Sequence, residues 1–270
     1  MPTKKPHQNP LLLELTGKES PVEWILPEFL PRGALLALAG VPGAGKSYLC
    51  YYLSMAVACG LSVLGLQPPR PFRVVYFDEE NSRPDRIQYE RWAWHGLGKP
   101  ALDRLIENFW PVPFALGSSE WAEEAAAILD ELQPDLFVVD TATPACDIRN
   151  ENDNGEAAQV IAQLRHLMRL STPEASALVL KHAKLIHEDG SYTLRGAKTW
   201  MGQVDSFSFL VRAVGRPTTD ARKRGLSRTR LVPGKVRAFG LRTPLLIEPR
   251  FTADFSGLSL TRLIGAKHEA

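Results

Sequence analysis

Gly40, Val41, Pro42, Gly43, Ala44, Gly45, Lys46 and Ser47 spell G-x-x-x-x-G-K-[ST] in full. That order of residue types suits the holding of a phosphate chain. Glycines let the backbone turn its amide N–H groups inward and come close to anionic oxygens. The lysine, Lys46, is placed to reach the β- and γ-phosphates, and the hydroxyl of Ser47 to hold Mg²⁺. From Lys46 onward the chain reads as a helix, whose positive dipole end would face the anion. The expected ligands are therefore ATP and Mg²⁺, held by residues 40–47 and the adjoining Tyr48.

Hydrolysis would also need carboxylates. Asp140 closes the apolar run LFVVD, expected beside the phosphate loop, where it can hold the water shell of the ion. Asp78, Glu79 and Glu80 close another apolar run, VVYFDEE, and an acid there can orient and deprotonate an attacking water. Neighbouring residues of a strand face opposite sides, so spacing leaves Glu79 and Glu80 both open as the base. Lys181 and His182 end a further run, SALVLKHA. At the carboxyl edge of a parallel sheet that histidine would lie near the γ-phosphate; elsewhere it would be a packing residue.

These groups need a scaffold that brings distant strand ends together. PRGALLALAG, FRVVYFDEEN, DLFVVD and SALVLKHA are short continuous apolar runs, as in strands buried on both faces. Between them lie helical patterns: KSYLCYYLSMAVACG and RPDRIQYERWAWHGLG, each stopped by glycine, and EAAQVIAQLRHLMRL. A short strand is expected at NFWPVP, after which Ser119 opens a helix over EWAEEAAAILDEL. Beyond residue 200 the period becomes 2 in SFSFLVRAV, TRLVPGKVRAF, PLLIEP and LSLTRL, an expected antiparallel extension. The fold class is thus α/β, a mostly parallel central sheet flanked by helices with an antiparallel C-terminal part. Residues 1–20 read as a loose arm and residues 21–265 as one domain.

The segments VPGAGKS, VVYFDEEN, LFVVDTATP, NENDNGEAAQVIAQL, LVLKHAK and RGAKTWMGQVD follow one another across residues 20–215. In that order they resemble the RecA-like P-loop ATPases, and among these the RepA-type hexameric replicative helicases and their single-domain relatives. The resemblance implies Glu80 as the catalytic glutamate at the metal site, Asp140 as the metal-site aspartate and His182 as the γ-phosphate sensor. It also implies a hexameric ring with ATP between subunits, each site completed by a neighbour's arginine. Here the chain departs from the pattern, because that arginine aligns with Asp205. A substitute stands at Lys235, Val236, Arg237, Ala238, Phe239 and Gly240, similar to the K-x-R-F-G motif of RadA and KaiC relatives with one residue added. By that likeness Lys235 or Arg237 would reach the neighbour's γ-phosphate; otherwise they are solvent-facing charges on a strand.

The formal charge of +2 conceals a division: residues 1–160 carry −9 and residues 161–270 carry +11. A basic second part points to a polyanion, or to neutralisation within one fold. In RecA-like motors the loops matching residues 141–157 and 184–203 face the channel. The second holds Lys184, Arg195 and Lys198 with Tyr192 and Trp200, cations among aromatics that suit single-stranded DNA. Arg222, Lys223, Arg224, Arg228 and Arg230 add a basic run without an acid. The alternative is a nucleotide-switched assembly ATPase of RadA or KaiC logic, without helicase activity. No primase or loading module is evident, so a loader or primase partner is expected. Three cysteines without metal-ligand spacing and no apolar run of membrane length indicate a cytoplasmic protein.

Overall fold

Six consecutive apolar or glycine residues have no polar face to offer water, and β3 (Leu35–Gly40) is buried at every position. The same holds for β4 (Val74–Asp78) and β6 (Leu136–Asp140). The computed structural model describes residues 22–113, 120–185, 192–194, 198–213, 228–236, 240–252 and 256–263. A small hairpin, β1 (Trp24–Leu26) with β2 (Leu30–Pro31), precedes the main sheet. Beyond β3, β4 and β6 that sheet contains β5 (Phe109–Pro113), β7 (Ser176–Leu185) and β8 (Tyr192–Leu194). Its C-terminal strands are β9 (Ser206–Arg212), β10 (Thr229–Val236), β11 (Leu245–Phe251) and β12 (Leu258–Arg262). The order across it is β12-β11-β10-β9-β3-β7-β6-β4-β5, with β8 paired to β7.

Helices cover both faces. On one lie α1 (Lys46–Cys59), α2 (Arg83–Gly96) and α3 (Leu102–Asn108); on the other α4 (Trp121–Leu132), α5 (Ala142–Ala145), α6 (Asn154–Leu170) and α7 (Lys198–Gln203). Alternation along each strand divides the core accordingly. Leu36, Leu38, Tyr76 and Val138 pack on the α1 side, while Leu35, Ala37, Phe77 and Val139 pack against Leu129, Ile161 and Leu164. All of α1 but Ser47 is buried, as its almost wholly apolar sequence requires. It stops at Gly60, whose left-handed φ of 65° returns its N–H to the carbonyls of Ala56 and Val57.

The α/β sheet is as expected, with four local differences. β7 lies between β3 and β6, so Asp140 is one strand removed from the phosphate-loop strand. β9 pairs parallel to β3, so that the antiparallel C-terminal extension consists of β10, β11 and β12. Ser119 lies outside the described residues; α4 begins at Trp121 with Glu120 at its cap and no side-chain cap bond. α3 and α5, seven and four residues long, are too short to leave a periodic signal. Among the described residues no helix is long and apolar enough to cross a membrane.

Candidate active site

The phosphate loop joins β3 to α1. Gly43 and Gly45 hold positive φ of 72° and 88°, and Gly45 is the N-cap of α1. A side chain at Gly40 would place its Cβ 2.8 Å from the Leu210 carbonyl, so the close pairing of β3 and β9 needs glycine there. Lys46 is buried, and its Nζ donates to the Gly40 carbonyl at 3.1 Å. Burial holds its pKa below the usual lysine value, and the negative charges of Glu80 and Asp140 oppose that shift.

Asp140 is fully buried at the end of β6. Its Oδ2 accepts from Tyr76 Oη at 2.8 Å and from Asn81 Nδ2 at 3.3 Å, whereas Oδ1 is buried with no donor. Its pKa is pushed up to about 7, first by burial and then by the charge of Asp78; the hydrogen bond from Tyr76 acts the other way. Asp78 is also buried, accepting from Tyr51 Oη at 2.8 Å and from the Asn81 backbone N–H at 3.0 Å.

The chain then turns outward. The backbone N–H groups of Glu79 and Glu80 donate to the Asp140 carbonyl at 3.0 and 3.3 Å, locking the ends of β4 and β6 together. The Glu80 carboxylate is 42% exposed and lies 3.9 Å from His182 Nε2 at the end of β7. Three strand ends and the phosphate loop thus bring Lys46, Ser47, Glu80, Asp140 and His182 to one place. Lys181, facing the other side of the sheet, is buried with Nζ 4.9 Å from the Trp200 ring centre.

Other expected residues lie elsewhere. Lys235 Nζ donates to the carbonyls of Met201, Gly202 and Val204 at 2.8, 2.9 and 3.1 Å, capping the C-terminal end of α7. Within the single chain its ammonium is thus engaged by α7. Arg228 grips the buried carboxylate of Glu248 through Nε and Nη2 at 3.0 and 2.9 Å, with Arg250 on the other oxygen at 3.4 Å. In the free chain its guanidinium is held by Glu248. Asp205, at the position of the resembled helicases' arginine, accepts from the Leu35 N–H at 2.9 Å and from Arg165. Lys198 is exposed at the start of α7, and Arg230 is half-buried on β10. Lys184 lies on β7, with its side chain outside the described residues, as are Arg195, Arg222, Lys223, Arg224 and Arg237.

Tyr48 is buried, its hydroxyl donating to the Leu258 carbonyl and its ring among Tyr52, Tyr89 and Trp92. It forms one wall of an open cleft beside the phosphate loop, also lined by Gly43, Leu210, Arg212, Thr229, Pro249 and Leu260. Arg212 Nη2 would be 3.6 Å from a Cβ on Gly43. Arg212 belongs to no sequence motif, and Asn81 closes the segment VVYFDEEN without a role assigned to it. The available signals were a charge ending the buried run SFSFLVR and an amide directly after the acidic triplet.

Residues 7–184 match the family model of an AAA domain. The chain belongs to this AAA domain family. The match takes in Lys46, Ser47, Glu80, Asp140 and His182 and places the protein among the P-loop ATPases; it stops short of Asp205, Lys235 and Arg237. A search among curated proteins finds no match.

The residues of this AAA domain suit a magnesium nucleotide. The donor-free Oδ1 of Asp140 is an oxygen in want of a cation, and Ser47 is near the same carboxylate. Among the described residues no three His, Cys, Asp or Glu side chains form a closed cage.

Proposed function

We propose that this AAA-domain protein hydrolyses ATP as an oligomeric RecA-like motor on single-stranded DNA, a replicative or repair translocase. The observation that carries the ATPase reading is the approach of Glu80 and His182 beside Lys46, with Asp140 and Ser47 at its floor. Glu80, partly exposed, would take a proton from a water whose oxygen bonds to the γ-phosphorus. The bond to the bridging oxygen breaks, and ADP leaves with that oxygen. A bound Mg²⁺ would neutralise charge on the β- and γ-phosphate oxygens. Lys46 would hold those oxygens, and His182 would report the γ-phosphate to β7. The base would enter the cleft between Tyr48 and Arg212, where an apolar wall and a guanidinium can both meet a ring face.

For the nucleic-acid part the support is the order of motifs, the +11 charge of residues 161–270 and exposed Lys198 at the head of α7. A hexameric ring would place Arg237 of one subunit against the nucleotide of the next. A second reading, a nucleotide-switched assembly ATPase without strand separation, is favoured by one observation. Arg228 and Lys235 are engaged within their own fold and so withdrawn from the basic surface. One titration separates them: ATPase rate against single-stranded DNA, RNA and duplex at low salt. Stimulation by single strands supports the motor. A slow rate indifferent to all three, with ATP-dependent assembly, supports the switch.

A further inference from the structure

Asn81 directly follows Glu80 and has no role in the reading above. Its side chain lies between two buried carboxylates. Nδ2 is 3.0 and 3.1 Å from Asp78 Oδ1 and Oδ2, and 3.3 Å from Asp140 Oδ2. Carboxylates only accept, so the amide nitrogen with its two hydrogens is the end that faces them. Two stacked tyrosines support the same pair from below: Tyr51 of α1 on Asp78 and Tyr76 of β4 on Asp140, ring centres 4.1 Å apart. Arg86 of α2 donates to the carbonyls of Asp78 and Asn81, both at 3.2 Å, and so holds the turn that carries Glu80.

This arrangement is directional. Tyr76 and Asn81 both engage Oδ2 of Asp140, so the carboxylate cannot rotate without losing two donors. The buried Oδ1 is left without one. We propose that Asn81 is a positioning residue that ties Asp140 to Asp78, keeping Oδ1 of Asp140 for a divalent cation and anchoring Glu80 beside it. This rests on the reading of Asp140 as the cation's carboxylate. A merely structural Asn81, ending β4 with a turn, would affect stability and leave the cation unchanged.

The test uses the full chain with Mn²⁺ and a slowly hydrolysed ATP analogue, cation affinity being read by electron paramagnetic resonance. Asn81→Ala should weaken Mn²⁺ in the nucleotide complex about 10–100-fold and lower kcat in parallel. KM for ATP should stay within about threefold. The melting temperature without nucleotide should fall by about 2–8 °C, the cost of leaving buried carboxylates short of a donor, so that cation affinity is the readout that decides. Tyr76→Phe keeps the ring and its stacking and removes one of the two donors. It should shift cation affinity the same way, so the inference stays testable if Asn81→Ala does not fold. Cation affinity within about twofold of wild type in both variants overturns the inference and leaves the ATPase reading intact. A wild type that hydrolyses no ATP, with cation affinity still lost in the variants, upholds the inference and sinks hydrolysis. A wild-type complex that holds no Mn²⁺ overturns both.

Discussion

Asp140 stores a cost that nucleotide binding would relieve. Its carboxylate is buried beside Asp78, and one oxygen has no donor. Because the folded-state pKa is pushed up to about 7, above the ordinary aspartate range, the native state holds a proton that the unfolded chain has already lost. Stability of the nucleotide-free protein should therefore fall as pH rises from about 4 to 7 and stay low above that window. Asp140→Asn removes the charge and keeps the shape. It should raise apo stability at pH 8 by about 1–3 kcal/mol and much less at pH 5, in thermal melts at the two pH values. An Asn variant that melts lower than wild type at pH 8 would contradict this. Glu80 is tested by turnover. Glu80→Gln should keep nucleotide affinity and lose about 10²–10⁴-fold in kcat, while Glu79→Gln stays near wild type. The reverse pattern would move the base to Glu79.

Between elements, one close seam joins α2 to β12. A Cβ on Gly96 would collide with the Leu258 carbonyl, and Tyr48 donates to that same carbonyl from the cleft wall. Gly96→Ala should therefore push β12 outward, at about 1–3 kcal/mol in urea denaturation. It should weaken ATP more than inorganic tripolyphosphate, because the base side of the cleft moves and the phosphate loop does not. Equal losses for the two ligands would detach the cleft from the base. At the opposite side of the sheet, Lys235→Ala removes the cap on α7 and should cost about 1–2 kcal/mol. Loss of turnover with unchanged stability would instead point to Lys235 as a group acting on a neighbour. These seams also mark where reading from sequence runs out. The phosphate loop, the apolar strands and the acid-bearing strand ends were legible because each is local, a run or a motif with its own period. The pairing of Arg228 with Glu248 was not legible, because the two are 20 residues apart and meet only through the pairing of β10 with β11. The strand SFSFLVR alternates Ser and Phe, which suggests a half-exposed antiparallel edge. Ser206 and Ser208 are in fact buried, because β9 is an inner strand covered on both faces. Asn81, Tyr51 and Tyr76 were invisible as a group, since three elements bring them together.

Over the whole molecule, the charge division acquires a structural meaning. The acidic part, −9 over residues 1–160, includes Asp78, Glu79, Glu80 and Asp140 around the nucleotide site. Part of the basic excess is neutralised internally, as Glu248 shows with Arg228 and Arg250. The proposed ring sets the remaining cations of one subunit against the acidic site of the next, a head-to-tail interface that closes on itself. Such an interface makes a prediction that no single subunit can meet alone. Glu80→Gln and Arg237→Ala should each abolish turnover, the first for want of a base and the second for want of the neighbour's cation. Mixed before assembly in equal amounts, they form some interfaces with an intact Glu80 on one side and an intact Arg237 on the other. Random mixing makes these about a quarter of all interfaces, so ATPase activity should return to that order. The mixture must first be shown to co-assemble, by pulling down one tagged variant with the other in the presence of nucleotide. Co-assembled mixtures that stay inactive at every ratio would show that Arg237 does not act across the interface. Activity in Arg237→Ala alone would show that the site is complete within one subunit, and the ring would then be unnecessary for hydrolysis.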